Sequence, residues 1–376
     1  MRRFVEATFV TLSVVGCATN GNRVVANRND EACASYPYSP AALLAEREGF
    51  GAQTTGGDPS KVYMVTSFQD SGPGTLREAL QSAEPYWIVF KQDGRIVLND
   101  EIKVKSNKTV DGRGRKIVID GLFSIKPGTQ NVIFSDLSLT YPRGFDTSDG
   151  DVISIRGNAL GGKPEDYDTK NFWFNRLELS KGGDGLLDIR GGTNVTISWS
   201  HFHSHAKAML HQKDTEGRKS RGMRVTFHHN FFDRITRRSP LFYYGLADLY
   251  NNYQYNWYEF AVEARADAKL LSQENIYEAR PGTYCWGGCP DPSSPTHDSD
   301  FRVSKRAIVT QEGEDYSRGY VNSVNDLTLN GAQIMTYRPE NVFRREEFYR
   351  ARIERASIGL AQKIASEAGP RADYCR

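Results

Sequence analysis

The sequence predicts an all-β fold, a single-stranded right-handed parallel β-helix with short capping helices at its N- and C-terminal ends. Two observations carry this. Asn230-Phe231-Phe232, Asn252-Tyr253-Gln254 and Asn275-Ile276-Tyr277 recur at intervals of 22 and 23 residues, a period that marks stacked, similar coils. Upstream of each lies a strand-like run, Val225-Thr226-Phe227, Leu249-Tyr250 and Leu270-Leu271, and Trp173-Phe174 and Thr196-Ile197 keep a similar interval further back. Asparagines in register can hydrogen-bond from coil to coil while the aliphatic and aromatic residues pile into one continuous core.

Residues 1–16 read as a signal peptide of the lipoprotein type. Arg2 and Arg3 precede the mostly apolar run Phe4 to Gly16, and Val14-Val15-Gly16-Cys17 resembles a bacterial lipobox, although Glu6 opposes insertion. The expectation is an exported protein, secreted or held at a bacterial outer membrane by a lipid on Cys17. That anchor is the sole membrane attachment expected, since no internal run approaches the ~18 apolar residues of a membrane helix. A polar linker occupies 17–38, and 39–376 reads as one domain, expected to be monomeric. A net charge of +2 gives no overall basic surface, so no nucleic-acid partner is expected.

Ser39-Pro40 opens a short helix over 41–48, expected to cap the N-terminal end of the coil stack, whose open strand edges need cover. Thr75 is placed to N-cap a second helix, Leu76 to Ala83, after the Gly72-Pro73-Gly74 breaker. Phe343, Phe348, Ile353 and Leu360 follow a roughly helical repeat within Asn341 to Ala368, which would cover the other end or a flank. Without Cys17, four cysteines remain, Cys33, Cys285, Cys289 and Cys375, and these allow three pairings. Cys285 with Cys289 and Cys33 with Cys375 is one of them. A metal knuckle is the competing reading, which an oxidising compartment disfavours.

The chemistry concentrates in a few turns. Asp149-Gly150-Asp151 falls where the period is interrupted, between Asn131 and Asn171, 40 residues apart. Asp184 and Asp188 follow one coil later. Carboxylates crowded on one flank repel each other unless a cation joins them, and Ca²⁺ takes 6–8 such oxygens. Lys207 and Arg238 end consecutive coils beside them, giving a groove of alternating sign suited to a polyanion. His201, His203 and His205 alternate along one strand, which would put them on one face. No fourth ligand stands at a recognisable zinc spacing, and His228-His229-Asn230 reads as inter-coil stacking.

Asp184-Gly185-Leu186-Leu187-Asp188-Ile189, Val195-Thr196-Ile197-Ser198-Trp199-Ser200, His205-Ala206-Lys207, His229-Asn230, Arg238-Ser239-Pro240 and Asn251-Asn252-Tyr253 follow one another in an order and spacing that resemble the pectate lyase group of polysaccharide lyases. Asp70-Ser71-Gly72-Pro73-Gly74-Thr75-Leu76-Arg77 adds to the resemblance, which runs from about Gly49 to Ala279. It implies that Asp149, Asp151, Asp184 and Asp188 are Ca²⁺ ligands. It also implies that Lys207 contacts a uronate carboxylate and that Arg238 is the proton-abstracting base. Two departures stand out. Tyr243 replaces the second arginine of the family's Arg-x-Pro-x-x-Arg segment, removing a bidentate carboxylate clamp. Trp173-Phe174-Asn175-Arg176 stands for the usual Trp-x-Asp-His, and Arg176 is a candidate to compensate at the substrate.

The expected function is therefore Ca²⁺-dependent β-elimination on polygalacturonate or a related uronan. A β-helix hydrolase of the polygalacturonase kind, with two of the carboxylates as acid and base, is an alternative. A catalytically weakened glycan-binding protein, for which Tyr243 speaks, is the other.

Overall fold

The computed structural model describes residues 38–144, 150–158, 163–211, 219–279, 305–313 and 317–371. The leader, Cys17, most of the linker, Asp149, Cys33, Cys285, Cys289 and Cys375 lie outside the described residues.

Strands pair in parallel with the coil before and the coil after, forming one sheet of 17 strands and one of nine. A typical coil runs Thr193–Ser198, bends into His201–His203, and returns through Leu210–His211. The first two strands belong to the larger sheet and the third to the smaller one. Register is kept from coil to coil, as in Val195↔Val225, Val225↔Ala247, Ala247↔Leu270 and Leu270↔Val321. This is the right-handed parallel β-helix expected from the sequence. Alternate residues point inward, so Phe172, Phe174, Val195, Ile197, Val225 and Phe227 join one core, and Phe202 stacks on Phe232 at 4.8 Å.

The repeating asparagines stand at one bend of the coil. Asn230 Nδ2 donates to Asn252 Oδ1 at 2.9 Å, and Asn252 Nδ2 donates to Asn275 Oδ1 at 2.9 Å. Asn275 in turn donates to Asp326 at 3.1 Å, while Ser200 N–H donates to Asn230 Oδ1 at 2.9 Å. All three amides are buried. A second column, Asn107, Asn131, Asn171 and Asn194, links at 3.3–3.5 Å with every member at positive φ. The 40-residue interval is one enlarged coil, since Lys170 pairs directly with Gln130 while Ile153–Arg156 still bridges Phe123–Ile125 and Leu187–Arg190.

The helices depart from expectation. Helix α1, Pro40–Leu44, is shorter than the predicted 41–48 and does not close the N-terminal end. Its one buried residue, Leu43, seats on Trp87, Val89, Ile133 and Trp173 on the outside of the larger sheet. The chain then follows that outer face, its Phe50, Gly51 and Gly57 N–H groups donating to the hydroxyls of Thr226, Thr196 and Thr109 at 2.9–3.0 Å. At Gly51 a Cβ would lie 2.6 Å from the Phe172 carbonyl oxygen, so only glycine permits the approach. The N-terminal cap is helix α2, Leu76–Gln81, which puts Leu76, Ala79 and Leu80 into the main core, with the Thr75 hydroxyl accepting the Glu78 N–H.

The C-terminal stretch covers a flank. Only Ile358–Glu367 is α-helical (α3), and it lays Leu360, Ala361 and Ile364 on Tyr253 and Ile276. Phe343 and Phe348 belong to irregular chain instead and enclose Phe50 at 6.0 and 5.5 Å. Buried ion pairs pin this strap: Arg345 donates twice to Asp248 at 2.6 Å, and Arg371 reaches Asp136 at 2.9 Å. The edge of Tyr320–Val324 in the last coil is met by Tyr337, in an antiparallel bridge with Val321.

Replacing Asn252 with alanine should cost about 2–4 kcal/mol, because it strands buried donors and acceptors on both neighbouring coils. A lower urea midpoint at unchanged m would show this, and a midpoint equal to the parent's would remove the asparagine column from the stabilising set.

Candidate active site

The turns that join the second strand of each coil to the third also stack, as though the sheet continued through them. Asp184 N–H donates to Gly150 O at 2.9 Å and Val152 N–H to Gly185 O at 3.2 Å. Leu186 N–H donates to Ala208 O at 3.0 Å, Arg237 N–H to Ala206 O at 3.0 Å, and Met209 N–H to Arg238 O at 2.8 Å. Lys207 and Arg237 form a parallel bridge. Residues 150–152, 184–188, 206–209 and 237–239 are thereby brought to one flank.

Three of the four predicted metal ligands meet there, and Asp149 lies outside the described residues. Asp188, on the outer face of Leu187–Arg190, accepts Leu210 N–H at 2.9 Å and Arg190 Nη2 at 3.0 Å. Asp184 is held by Lys207, and its carbonyl faces His205 Nε2 at 3.1 Å. Asp151 is 4% exposed and its Oδ1 has no hydrogen-bond partner among the described residues. Burial, then the Asp188 and Asp184 charges, push the Asp151 carboxyl well above the usual range. Burial also raises Asp188, against Arg190. For Asp184 burial acts upward too, but the Lys207 hydrogen bond and charge outweigh it and the net shift is downward.

These oxygens suit a hard cation. A Cβ placed on Gly185 would stand 2.8 Å from Asp151 Oδ1, 3.4 Å from Asp188 Oδ1 and 3.6 Å from the Lys207 carbonyl oxygen, so the glycine leaves a small cradle lined by oxygen. Among the described residues no three His, Cys, Asp or Glu side chains are closed into a ligand shell. Lys207 and Arg190 account for this, since each engages one of the carboxylates.

Arg238 has its backbone at φ 60°, outside the regular series of left-handed bends at Lys181, Ser204, Arg234 and Asn256. Burial, then the neighbouring Arg237, lower its pKa, opposed by Asp188, Asp184 and Tyr243. Arg237 itself is engaged by Glu259 at 2.8 Å. Tyr243, buried just beyond Leu241–Phe242, accepts Arg265 Nη1 at 2.9 Å.

Arg176 does not join this group. It occupies the bend within Lys170–Ser180, donates to Glu367 O at 2.7 Å, and lies over the Trp199 ring at 4.8 Å. Asn175 likewise belongs to a buried polar column with Ser135 and Ser198 at 3.2 and 2.9 Å. The altered Trp-x-Asp-His segment therefore serves a different bend of the coil. His201 and His203 share a face, as expected, with His203 against Glu178 at 3.0 Å and His201 stacked on Phe231 at 4.9 Å. His205 alone of the three turns to the acidic site. Sequence reasoning missed Arg190 and Arg265, although each stands two residues beyond a carboxylate (Asp188, Glu263), the spacing that puts side chains on one face of a strand.

A family model described as pectate lyase matches residues 92–289, over half of the chain. The chain is 32% identical over 243 residues to a pectate lyase of Nicotiana tabacum, and 33% identical over 267 residues to pectate lyase 5 of Ambrosia artemisiifolia. These alignments cover 61% and 65% of this chain, and 61% and 64% of the relatives' own lengths. The crystal structure of jun a 1, the major cedar pollen allergen, resembles it with a TM-score of 0.69 at 26% identity, over 87% of this chain and 94% of that one. Pectate lyase Bsp165PelA from Bacillus sp. N165, solved in complex with trigalacturonate, shares the fold with a TM-score of 0.58 at 18% identity, over 87% of this chain and 99% of that one. Since the matched segment contains Asp151, Asp184, Asp188, Lys207 and Arg238, the chain belongs, by its sequence and its coil architecture alike, to the pectate lyase family.

Proposed function

We propose that this chain is a polysaccharide lyase that cleaves polygalacturonate, or a related uronan, by β-elimination with Ca²⁺ as its metal. The observation that carries the reading is the meeting, on stacked turns, of Lys207 and Arg238 with three crowded carboxylates. The family membership and the trigalacturonate complex of the Bacillus enzyme support it.

Elimination begins with loss of the weakly acidic proton on C5 of a uronate and ends with expulsion of the C4 oxygen and a new double bond. No water is consumed. Asp151, Asp184 and Asp188, with Asp149 from the sequence pattern, would hold the cation. When bound, Ca²⁺ supplies positive charge that attracts the uronate carboxylate and acidifies the adjacent C–H. Lys207 exchanges its Asp184 partner for the substrate carboxylate and stabilises the charge that spreads onto it. Arg238 receives the C5 proton. Burial and Arg237 already draw its pKa downward, the direction a guanidinium base requires. A hydrolase needs an acid and a base with a water within reach, and the raised carboxyls here, Asp151 and Asp188, are both buried. The run Phe4 to Gly16 supports export, with lipidation at Cys17 as part of this proposal.

Purified protein incubated with polygalacturonate and Ca²⁺ should gain the ultraviolet absorbance of an unsaturated product, and show no such gain when Ca²⁺ is chelated beforehand. New reducing ends without that absorbance would establish hydrolysis instead, and binding without either signal would establish a glycan-binding protein. Arg238→Lys should abolish turnover with binding largely kept; if activity persists, Lys207 or another group is the base.

Asp151→Asn tests the metal site by a second route. A carboxyl with a raised folded-state pKa stabilises the fold at low pH, and that stabilisation is lost as pH rises through the raised value. The variant should therefore be about 1 kcal/mol or more stabler than the parent above neutrality without Ca²⁺. It should also show no thermal stabilisation by Ca²⁺. An unchanged Ca²⁺-dependent Tm shift would strike Asp151 from the ligands.

A further inference from the structure

A cavity opens at the bend between the first and second strands of the coil, away from the reacting turns. Arg176, Trp199 and His229 hold equivalent left-handed positions there on three successive coils, at φ 51°, 48° and 56°. The N-terminal strap brings Glu46 and Glu48 to them, and the C-terminal strap brings Arg352 and Glu354. With His228 these residues line about 460 Å³, enough for a small ligand.

Part of the charge around it is already paired. Glu354 takes Lys363 at 2.9 Å, and Glu46 takes Arg371 at 2.9 Å. Arg176, Arg352 and Glu48 form no ion pair among the described residues, two cations against one carboxylate. The cavity therefore carries an excess of one positive charge, which suits a monoanion better than a neutral or zwitterionic ligand. Two polar atoms are also unmet. Arg176 uses Nη1 on the Glu367 carbonyl at 2.7 Å, but its buried Nε–H has no acceptor among the described residues. Glu354 Oε1 lies 3.1 Å from His229 Nε2, so that nitrogen holds the proton. Burial keeps both imidazoles neutral, lowering His229 to about 4 and His228 well below its ordinary value. His229 Nδ1 is then a bare lone pair and accepts the N–H of His228 Nδ1 at 3.1 Å. This leaves a lone pair on His228 Nε2, which is buried and has no donor among the described residues. A buried donor and a buried acceptor without partners are each costly until something meets them. A hydroxyl can serve either one, since it donates and accepts at one oxygen.

We infer that this cavity is a second saccharide site that takes one uronate residue, its carboxylate on Arg352 and its hydroxyls on Arg176 Nε and His228 Nε2. Binding there needs no turnover, so it is tested apart from the lyase reading. The full chain, labelled at its tryptophan indole nitrogens, is titrated with galacturonate and with galactose, which carries a hydroxymethyl in place of the carboxylate. Ca²⁺ is chelated throughout. The Trp199 indole resonance, identified by its loss in Trp199→Phe, should shift saturably with galacturonate and about tenfold more weakly with galactose. Arg352→Ala changes an exposed side chain and should cost galacturonate about tenfold while leaving galactose unmoved. His228→Phe keeps a ring against Tyr250, and should weaken both sugars; Arg352→Ala decides should that variant fail to fold. Lys207→Ala, at the reacting turns, should leave both titrations as in the parent. No saturable shift, equal affinity for the two sugars, or an Arg352→Ala titration equal to the parent's overturns the inference. Loss of the shift in Lys207→Ala overturns it too, by placing the sugar at the reacting turns. Intact titrations with no unsaturated product from polygalacturonate count against the lyase reading alone.

Discussion

The buried column Asn230–Asn252–Asn275 holds successive coils in one register, and the candidate site is assembled by that register. Each amide accepts the N–H that opens a bend and donates to a backbone carbonyl on the coil before, as Asn252 does to Phe227 O at 2.9 Å and Asn230 to Ile197 O at 2.9 Å. The column starts at Ser200 and ends on Asp326, whose carboxyl burial raises to about 6. With these bends locked, the turns that follow have nowhere to stack but on one another. Lys207 and Arg238 then come from consecutive coils and Asp184 from the coil before, at positions far apart in the chain. A slip by one residue would turn each of them to the opposite face.

A second bend of the coil is flanked by the N-terminal and C-terminal straps, which line a cavity of about 460 Å³ over Arg176 and Trp199. Arg345 with Asp248 and Arg371 with Asp136 are buried pairs. Such pairs add little compared with apolar packing, but removing one partner strands a charge and costs about 3–5 kcal/mol. They therefore act as locks that specify where the C-terminal strap lies. Arg176, Trp199 and His229 sit under that strap, with His229 stacked on Trp199 at 4.4 Å and facing Glu354 at 3.1 Å. The stacked turns at 150–152, 184–188, 206–209 and 237–239 lie on a different flank, with the crowded carboxylates.

What the sequence made legible is what repeats. The asparagine interval gave the coil, Thr75 the cap of α2, and the four-residue spacing of Asp184 and Asp188 two of the crowded carboxylates. The failures have physical causes. Arg176 and Asp184 are eight residues apart, a third of a coil, and sequence distance alone does not say which bend a residue occupies. The apolar spacing in 341–368 mimics a helix, yet Phe343 and Phe348 are placed by Phe50, a residue of the opposite strap. The sequence places helix 41–48 at the end of the stack, but its one buried residue, Leu43, packs instead on the outer stripe of Trp87, Val89, Ile133 and Trp173. Arg265 went unnoticed because its importance lies in Tyr243, one coil away, and only the register reveals that neighbour.

The carboxylates and the candidate base are linked by the same charges. Asp188 and Asp184 both hold the proton on Arg238, while burial and Arg237 act to release it. Burial, and after it the Asp188 and Asp184 charges, raise Asp151. A positive charge shared among these aspartates would weaken the influence that keeps Arg238 protonated and leave the opposing ones in place. An acidic cluster that looks hostile to a guanidinium base therefore becomes a reason for one to work, provided its charge is met by something other than Arg238. Lys207 and Arg190 meet part of it, each through one carboxylate. The Asp151 oxygen that neither reaches stands over the cradle left by Gly185.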